Sequence, residues 1–139
     1  MLGRKKFQGG FKNGELYAKA AEEYVGGHPA TIDSNGLLVL ATSGEADIYV
    51  GIFANSATED GVTTSANAQA TYYSTPAILT LKQENTGSLH PYNTALTYNT
   101  GDKLYIGADG RWTNVQPGSN AHAGVVIGVG SNYIEVQFL

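Results

Sequence analysis

The chain predicts an all-β fold, a small barrel or sandwich, on three observations. Short apolar runs alternate with turn signals along its whole length. Asn35-Gly36 and Asp109-Gly110 each lie between two such runs, and these pairs favour hairpins because the turn needs positive φ at its central residues. The third observation is a plan that occurs twice. Ala30-Thr-Ile-Asp-Ser-Asn-Gly36-Leu-Leu-Val-Leu is followed by Tyr49-Val-Gly51-Ile-Phe53, and Lys103-Leu-Tyr-Ile-Gly-Ala-Asp-Gly110-Arg-Trp-Thr by His122-Ala-Gly124-Val-Val126. Each copy reads strand, turn, strand, polar loop, then a strand with an apolar-Gly-apolar-apolar core. The two glycines stand 15 residues apart in the first copy and 14 in the second.

Taken in order, residues 1–14 hold four glycines, Phe7, Phe11 and a basic cluster, which predicts an extended N-terminal arm with two aromatic anchors. Residues 15–139 form a single β domain. Glu15–Tyr24 fits helix and strand equally, because Leu16, Ala20 and Tyr24 fall at helical spacing while Leu16, Ala18 and Ala20 share a strand face. Gly26-Gly27-His28-Pro29 ends that element. Strands follow at Ala30–Ile32, Leu37–Ala41 and Ile48–Phe53. Residues 54–99 read as a surface elaboration, since Ala54–Thr75 is polar with few apolar anchors. Within it Ala77–Lys82 is a good strand and Thr94–Tyr98 a weaker one. Lys103–Ile106, Trp112–Val115, Val125–Val129 and Tyr133–Phe138 complete the set. The last alternates cleanly, with Ile134, Val136 and Phe138 on one face and Tyr133, Glu135 and Gln137 on the other.

Composition bounds the function. The 139 residues suit one domain, able to bury roughly two-thirds of the surface of its unfolded chain. Charged residues make up 14%, against about 25% in average usage, and Gly, Asn, Ser and Thr take their place. Residues 1–19 hold five of the eight basic residues and one acid, so an arm of charge +4 precedes a body of −8. Such a body repels nucleic acid, whose non-specific binding needs phosphate neutralisation. Without cysteine there are no disulfides, thiolate nucleophiles or Cys-based zinc sites. No apolar run approaches the ~18 residues of a membrane span, and no signal-peptide core follows the charged start. A soluble protein made in a cytoplasm is expected.

The residues that could carry chemistry have plainer uses. His28, His90 and His122 read as exposed loop histidines, with no ligand spacing on one element. Glu59-Asp60, Asp102 and Asp109 stand at turns, where a carboxylate accepts backbone N–H groups. Gly124-Val-Val-Ile-Gly-Val-Gly130 leads into a strand, whereas a nucleotide loop leads into a helix N-terminus. Tyr72, Tyr73, Tyr92, Tyr98, Tyr105 and Trp112 suit a sheet face or core better than a sugar-stacking platform, with Tyr72-Tyr73 the pair expected to be most exposed. No enzymatic activity, metal or cofactor is expected.

The two repeated segments, with Val50-Gly-Ile-Phe-Ala-Asn and the final Tyr133-Ile-Glu-Val-Gln-Phe-Leu, resemble small decoration (cement) proteins of tailed bacteriophages, nearest in plan to the DUF2190-like capsid accessory proteins. The resemblance covers roughly residues 28–53 and 100–139 and rests on turns, glycines and strands. It implies a β-barrel or β-tulip-like domain, a homotrimer, on the outer capsid surface of the virion, with the major capsid protein as partner. On that expectation the protein is a non-enzymatic virion structural protein that clamps neighbouring capsid subunits. Arg4, Lys5, Lys6, Phe7, Phe11 and Lys12 would be its partner-contacting arm, and Gly36 and Gly110 its structural turns. The alternative is a carbohydrate- or receptor-binding β module, a fibre or adhesin head, using Tyr72, Tyr73 or Trp112.

Overall fold

The computed structural model describes residues 2–4, 12–18, 24–54, 68–84 and 89–139, and for 2–4, 12–18 and 68–70 the backbone alone. The fold is all-β. Its strands are β1 (Leu2–Arg4), β2 (Lys12–Ala18), β3 (Pro29–Ile32), β4 (Leu38–Leu40), β5 (Gly51–Phe53), β6 (Ala68–Tyr73), β7 (Ala77–Lys82), β8 (Lys103–Ile106), β9 (Trp112–Thr113), β10 (Gly124–Val129) and β11 (Tyr133–Phe138). Five of them curl into a small barrel in the order β2-β4-β3-β5-β6, closed by one parallel pair, Ala18 with Leu38. The other six form an open sheet in the order β1-β7-β11-β10-β8-β9.

The repeated plan folds twice into the same unit. In each copy the first strand is central, flanked by the second and third: β4-β3-β5 and β9-β8-β10. The registers match at an offset of 74. Thr31 pairs with Val39 and Ile32 with Leu38, as Tyr105 pairs with Thr113 and Ile106 with Trp112. After the loop, which is one residue shorter in the second copy, Gly51 faces Ala30 as Gly124 faces Leu104. The likeness begins earlier than the sequence signals. The parallel pair Ala18–Leu38 has its counterpart in a parallel bridge between Tyr92 and Trp112. Gly27 and Gly101 both take positive φ, 107° and 98°, and their N–H groups bond to Phe53 O and Val126 O.

Local chemistry explains the turns. Gly36 and Gly110 adopt φ of 79° and 81°, where an L side chain is strained. Asp33 Oδ1 accepts the N–H groups of Asn35 and Leu37, fixing the first turn. Gly51 and Gly124 open the third strands because the fourth strands cross close by. A Cβ on Gly51 would meet the Tyr73 carbonyl, and one on Gly124 would lie 2.9 Å from Val136 Cγ1.

Most of the core lies under the six-stranded sheet. Leu79, Leu81, Leu104, Ile106, Trp112, Val126, Ile134, Val136 and Phe138 cover its inner face, joined by Ala41 and Ile52 from the barrel side. The alternation of β11 is as the sequence predicts, with Ile134, Val136 and Phe138 buried. Each such side chain contributes about 1.5–3 kcal/mol when taken from water. Inside the barrel Tyr24, Ala30, Leu38 and Phe53 form a smaller cluster, with Tyr24 stacked on Phe53 at 3.9 Å.

Several expectations change. The ambiguous stretch after residue 14 is a strand as far as Ala18. Of residues 54–99, the described ones supply β6 to the barrel and β7 to the sheet, and Tyr92 and Tyr98 are buried. β7 buries alternate residues, leaving Ile78 and Thr80 half-buried and Lys82 exposed. Thr94–Tyr98 is a turn, since Asn93 Oδ1 takes the Ala95 N–H and Asn93 O takes the Tyr98 hydroxyl. The expected arm enters the fold at both ends. Arg4 closes β1, paired with Leu79, and Lys12 opens β2, paired with Tyr73. Lys5, Lys6, Phe7 and Phe11 lie outside the described residues.

The two turn glycines separate conformational strain from collision. A Cβ on Gly36 meets nothing within 4 Å, whereas one on Gly110 lies 2.5 Å from Leu40 Cδ2. Gly36→Ala is expected to cost about 1–2 kcal/mol and Gly110→Ala roughly 1 kcal/mol more, measured by urea unfolding. The difference should vanish in a Leu40→Ala background. Equal costs in the wild-type background would place the second turn away from β4.

Candidate functional site

The sequence points to histidines, carboxylates and aromatics, and the fold brings several of them together at the seam between barrel and sheet. The seam is built on Trp112, the single tryptophan, which is fully buried at the start of β9. Its indole Nε1 donates to Gly27 O at 2.7 Å across 85 residues of chain. Its backbone N–H donates to Pro91 O, and its carbonyl accepts from Asn93 N. Tyr49 meets its ring edge-on at 6.1 Å, and Phe138 packs at 4.8 Å. A buried indole finds a partner for its N–H, and here that partner is the backbone of the other unit.

His28 lies beside this contact and overturns the expectation of an exposed loop histidine, being 1% exposed. Nδ1 accepts the N–H of Val25 at 3.1 Å, so the ring proton is on Nε2, which donates to His90 O at 2.8 Å. Burial pushes the pKa down to about 4, against the opposing pull of the His90 carbonyl bond. Burial follows from long-range packing: the segment around Pro91 covers the Gly27–His28 turn, and a Cβ on Gly27 would be 2.9 Å from Pro91 Cβ. His90 is half-buried, its Nδ1 accepting from Glu84 N at 3.0 Å. His122 is half-buried beside the ring of Tyr105.

Asp102 and Asp109 serve turns, as the sequence predicts. Asp102 Oδ2 accepts Asn99 N at 2.9 Å and Asn114 Nδ2 at 3.1 Å. Asp109 accepts the Arg111 N–H at 3.1 Å and pairs with its guanidinium at 2.7 Å. Burial alone would raise the Asp109 pKa, but the bonds from Arg111 outweigh it and hold the group below the usual carboxylate range. Glu59 and Asp60 lie outside the described residues.

The described aromatics that the sequence singles out are packed to different degrees. Tyr92, Tyr98, Tyr105 and Trp112 are buried, and Tyr72 and Tyr73 are half-buried against the two cores, so the pair expected to be exposed is partly packed away. Tyr98 sends its hydroxyl to Asn93 O and meets Tyr92 edge-on, and burial, with Tyr92 beside it, keeps its pKa well above the ordinary value. One shallow depression of about 360 Å³ opens between the β8–β9 turn and the loop after β9, bounded by Asn93, Asp109, Thr113 and Val115. Its polar atoms hold backbone: Asn93 Oδ1 takes Ala95 N, and Thr113 Oγ1 takes Val115 N. Among the described residues no three His, Asp or Glu side chains converge as a metal site would require.

Sequence reasoning missed His28 and the role of Trp112 at the seam. A signal existed: the 74-residue offset, carried upstream of the hairpins, sets Gly27 on Gly101 and His28 on Asp102. Both side chains accept the N–H three residues before them.

Trp112→Phe removes the donor to Gly27 O and leaves that buried carbonyl without its partner. A loss of about 2–4 kcal/mol is expected from urea unfolding at pH 7.5. A loss under ~1 kcal/mol, the worth of an ordinary hydrogen bond, would show that another donor replaces the indole. No protein-family model matches this chain, and a comparison with characterised proteins finds no significant relative.

Proposed function

We propose that the chain is a non-enzymatic structural protein of a tailed-phage virion, bound to the outer capsid surface and clamping neighbouring subunits. The observation that carries this reading is the employment of the chemically capable side chains. Of the groups the sequence singles out, His28, Asp102, Asp109, Tyr98 and Trp112 each hold backbone of the chain's own turns and seams. What such a body offers a partner is shape and surface. The low charge of the chain suits side-by-side packing with other subunits. Stabilisation then follows from mass action: a protein that binds only the assembled shell adds about 2.7 kcal/mol at a hundredfold excess over its dissociation constant. A homotrimer would raise the effective affinity by linking three contacts.

Arg4, Lys5, Lys6, Phe7, Phe11 and Lys12 remain the proposed contact to the major capsid protein, through their side chains. The alternative reading as a carbohydrate- or receptor-binding module is weakened by the burial of Trp112 and the partial burial of Tyr72 and Tyr73.

Sedimentation with decoration-free mature capsids of the source phage tests the proposal. Deleting residues 1–14 would strip β1 and part of β2, so the comparison uses a variant with Arg4, Lys5, Lys6 and Lys12 changed to Gln. Saturable co-sedimentation that weakens at least tenfold in the variant is expected. No sedimentation by either protein would overturn the capsid reading, and unchanged binding would remove the basic residues from the contact.

A further inference from the structure

We propose that His28 is an acid-released latch holding the barrel against the six-stranded sheet. The ring joins its own turn to a segment 62 residues away, and the residue before it is bonded to a third piece of chain. Nδ1 takes the Val25 N–H within the turn that enters the barrel, and Nε2 gives its proton to His90 O, on the segment that follows β7. One residue earlier, Gly27 O receives the indole of Trp112 from β9. His90 is anchored in turn by the bond from Glu84 N to its own ring. The latch has one working protonation state. A proton on Nδ1 would set two donors against each other at 3.1 Å and place a cation where the side chain is 1% exposed.

The charged groups facing the ring do little to shelter that cation. Asp109 and Arg111, on the turn between β8 and β9, act on it with opposite signs and are bound to each other at 2.7 Å. Glu84, after β7, favours the charged form, but its effect ranks below both. The folded state therefore keeps the ring neutral to about pH 4, while an undocked turn takes up a proton near the ordinary 6.5. A depressed histidine contributes its stability in full above 6.5 and loses it as pH falls toward 4. Undocking then becomes about 30-fold more favourable by pH 5. The second unit performs the same backbone task with the Asp102 carboxylate, which needs no neutral form, so the device belongs to the first unit alone.

The single tryptophan reports the state of the latch directly. Full-length protein is taken from pH 7.5 to 5, above the range where most carboxylates titrate, and Trp112 emission is read beside the far-ultraviolet strand signal. A red shift beginning below pH 6.5, with the strand signal kept, is expected. His28→Asn offers an acceptor oxygen to Val25 without titrating, so its emission should stay constant over the same range, while His122→Asn should behave as wild type. Emission unchanged to pH 5 in the wild type, the same shift in His28→Asn, or simultaneous loss of the strand signal would each overturn the latch. Because the Asn variant carries the risk of not folding, the wild-type His28 ring is also followed by NMR. A ring of the docked protein that titrates near 6.5 would equally overturn the proposal.

Discussion

The contact between the Trp112 indole and the Gly27 carbonyl is the constraint on which the rest of the molecule depends. It ties the hairpin of the six-stranded sheet to the turn that enters the barrel, and the ring that makes it is fully buried. An indole N–H and a peptide carbonyl placed there without each other would each carry a desolvation cost of about 1–3 kcal/mol. Tyr49 and Phe138 then pack against the ring, so the same residue is both a core side chain and a bond between units. His28 and Pro91 complete the seam from either side.

Around that seam the chain uses one backbone unit twice. The hydrogen bonds from Gly27 to Phe53, Phe53 to His28 and Val50 to Ala30 return as Gly101 to Val126, Val126 to Asp102 and Ala123 to Leu104. What differs is the company each unit keeps. In the first, β2 reaches β4 and the strands close into a barrel around Leu38 and Phe53. In the second, only Tyr92 bridges to Trp112 at the corresponding edge, and the sheet extends instead through β11 and β7 to β1. Leu38 packs in the barrel's own cluster, whereas its counterpart Trp112 packs in the larger core and bonds to the first unit.

This economy bears on the functional reading. Among the described residues, His28, His90, Asp102 and Asp109 hold the chain's own turns and seam through bonds to its backbone. The carboxylate part of that was legible in the sequence, because Asp102 and Asp109 stand in local turns whose bonds span two or three residues. The seam was not legible, because its bonds join residues 62 and 85 positions apart. His28 before a proline in a glycine-rich stretch looks like a surface residue until Pro91 is laid over it.

The sequence by itself determined the all-β class, the turns at Gly36 and Gly110, the two repeated units and the buried face of β11. These follow from interactions within a few residues: positive φ at a glycine, a carboxylate on its neighbours' N–H groups, and alternation along a strand. Only the tertiary structure decided that one unit closes while the other stays open, that residues 68–82 belong to the two sheets, and that His28 and Trp112 meet at the seam. Those outcomes depend on which distant segment covers which edge, a competition of packed surfaces that no local pattern records.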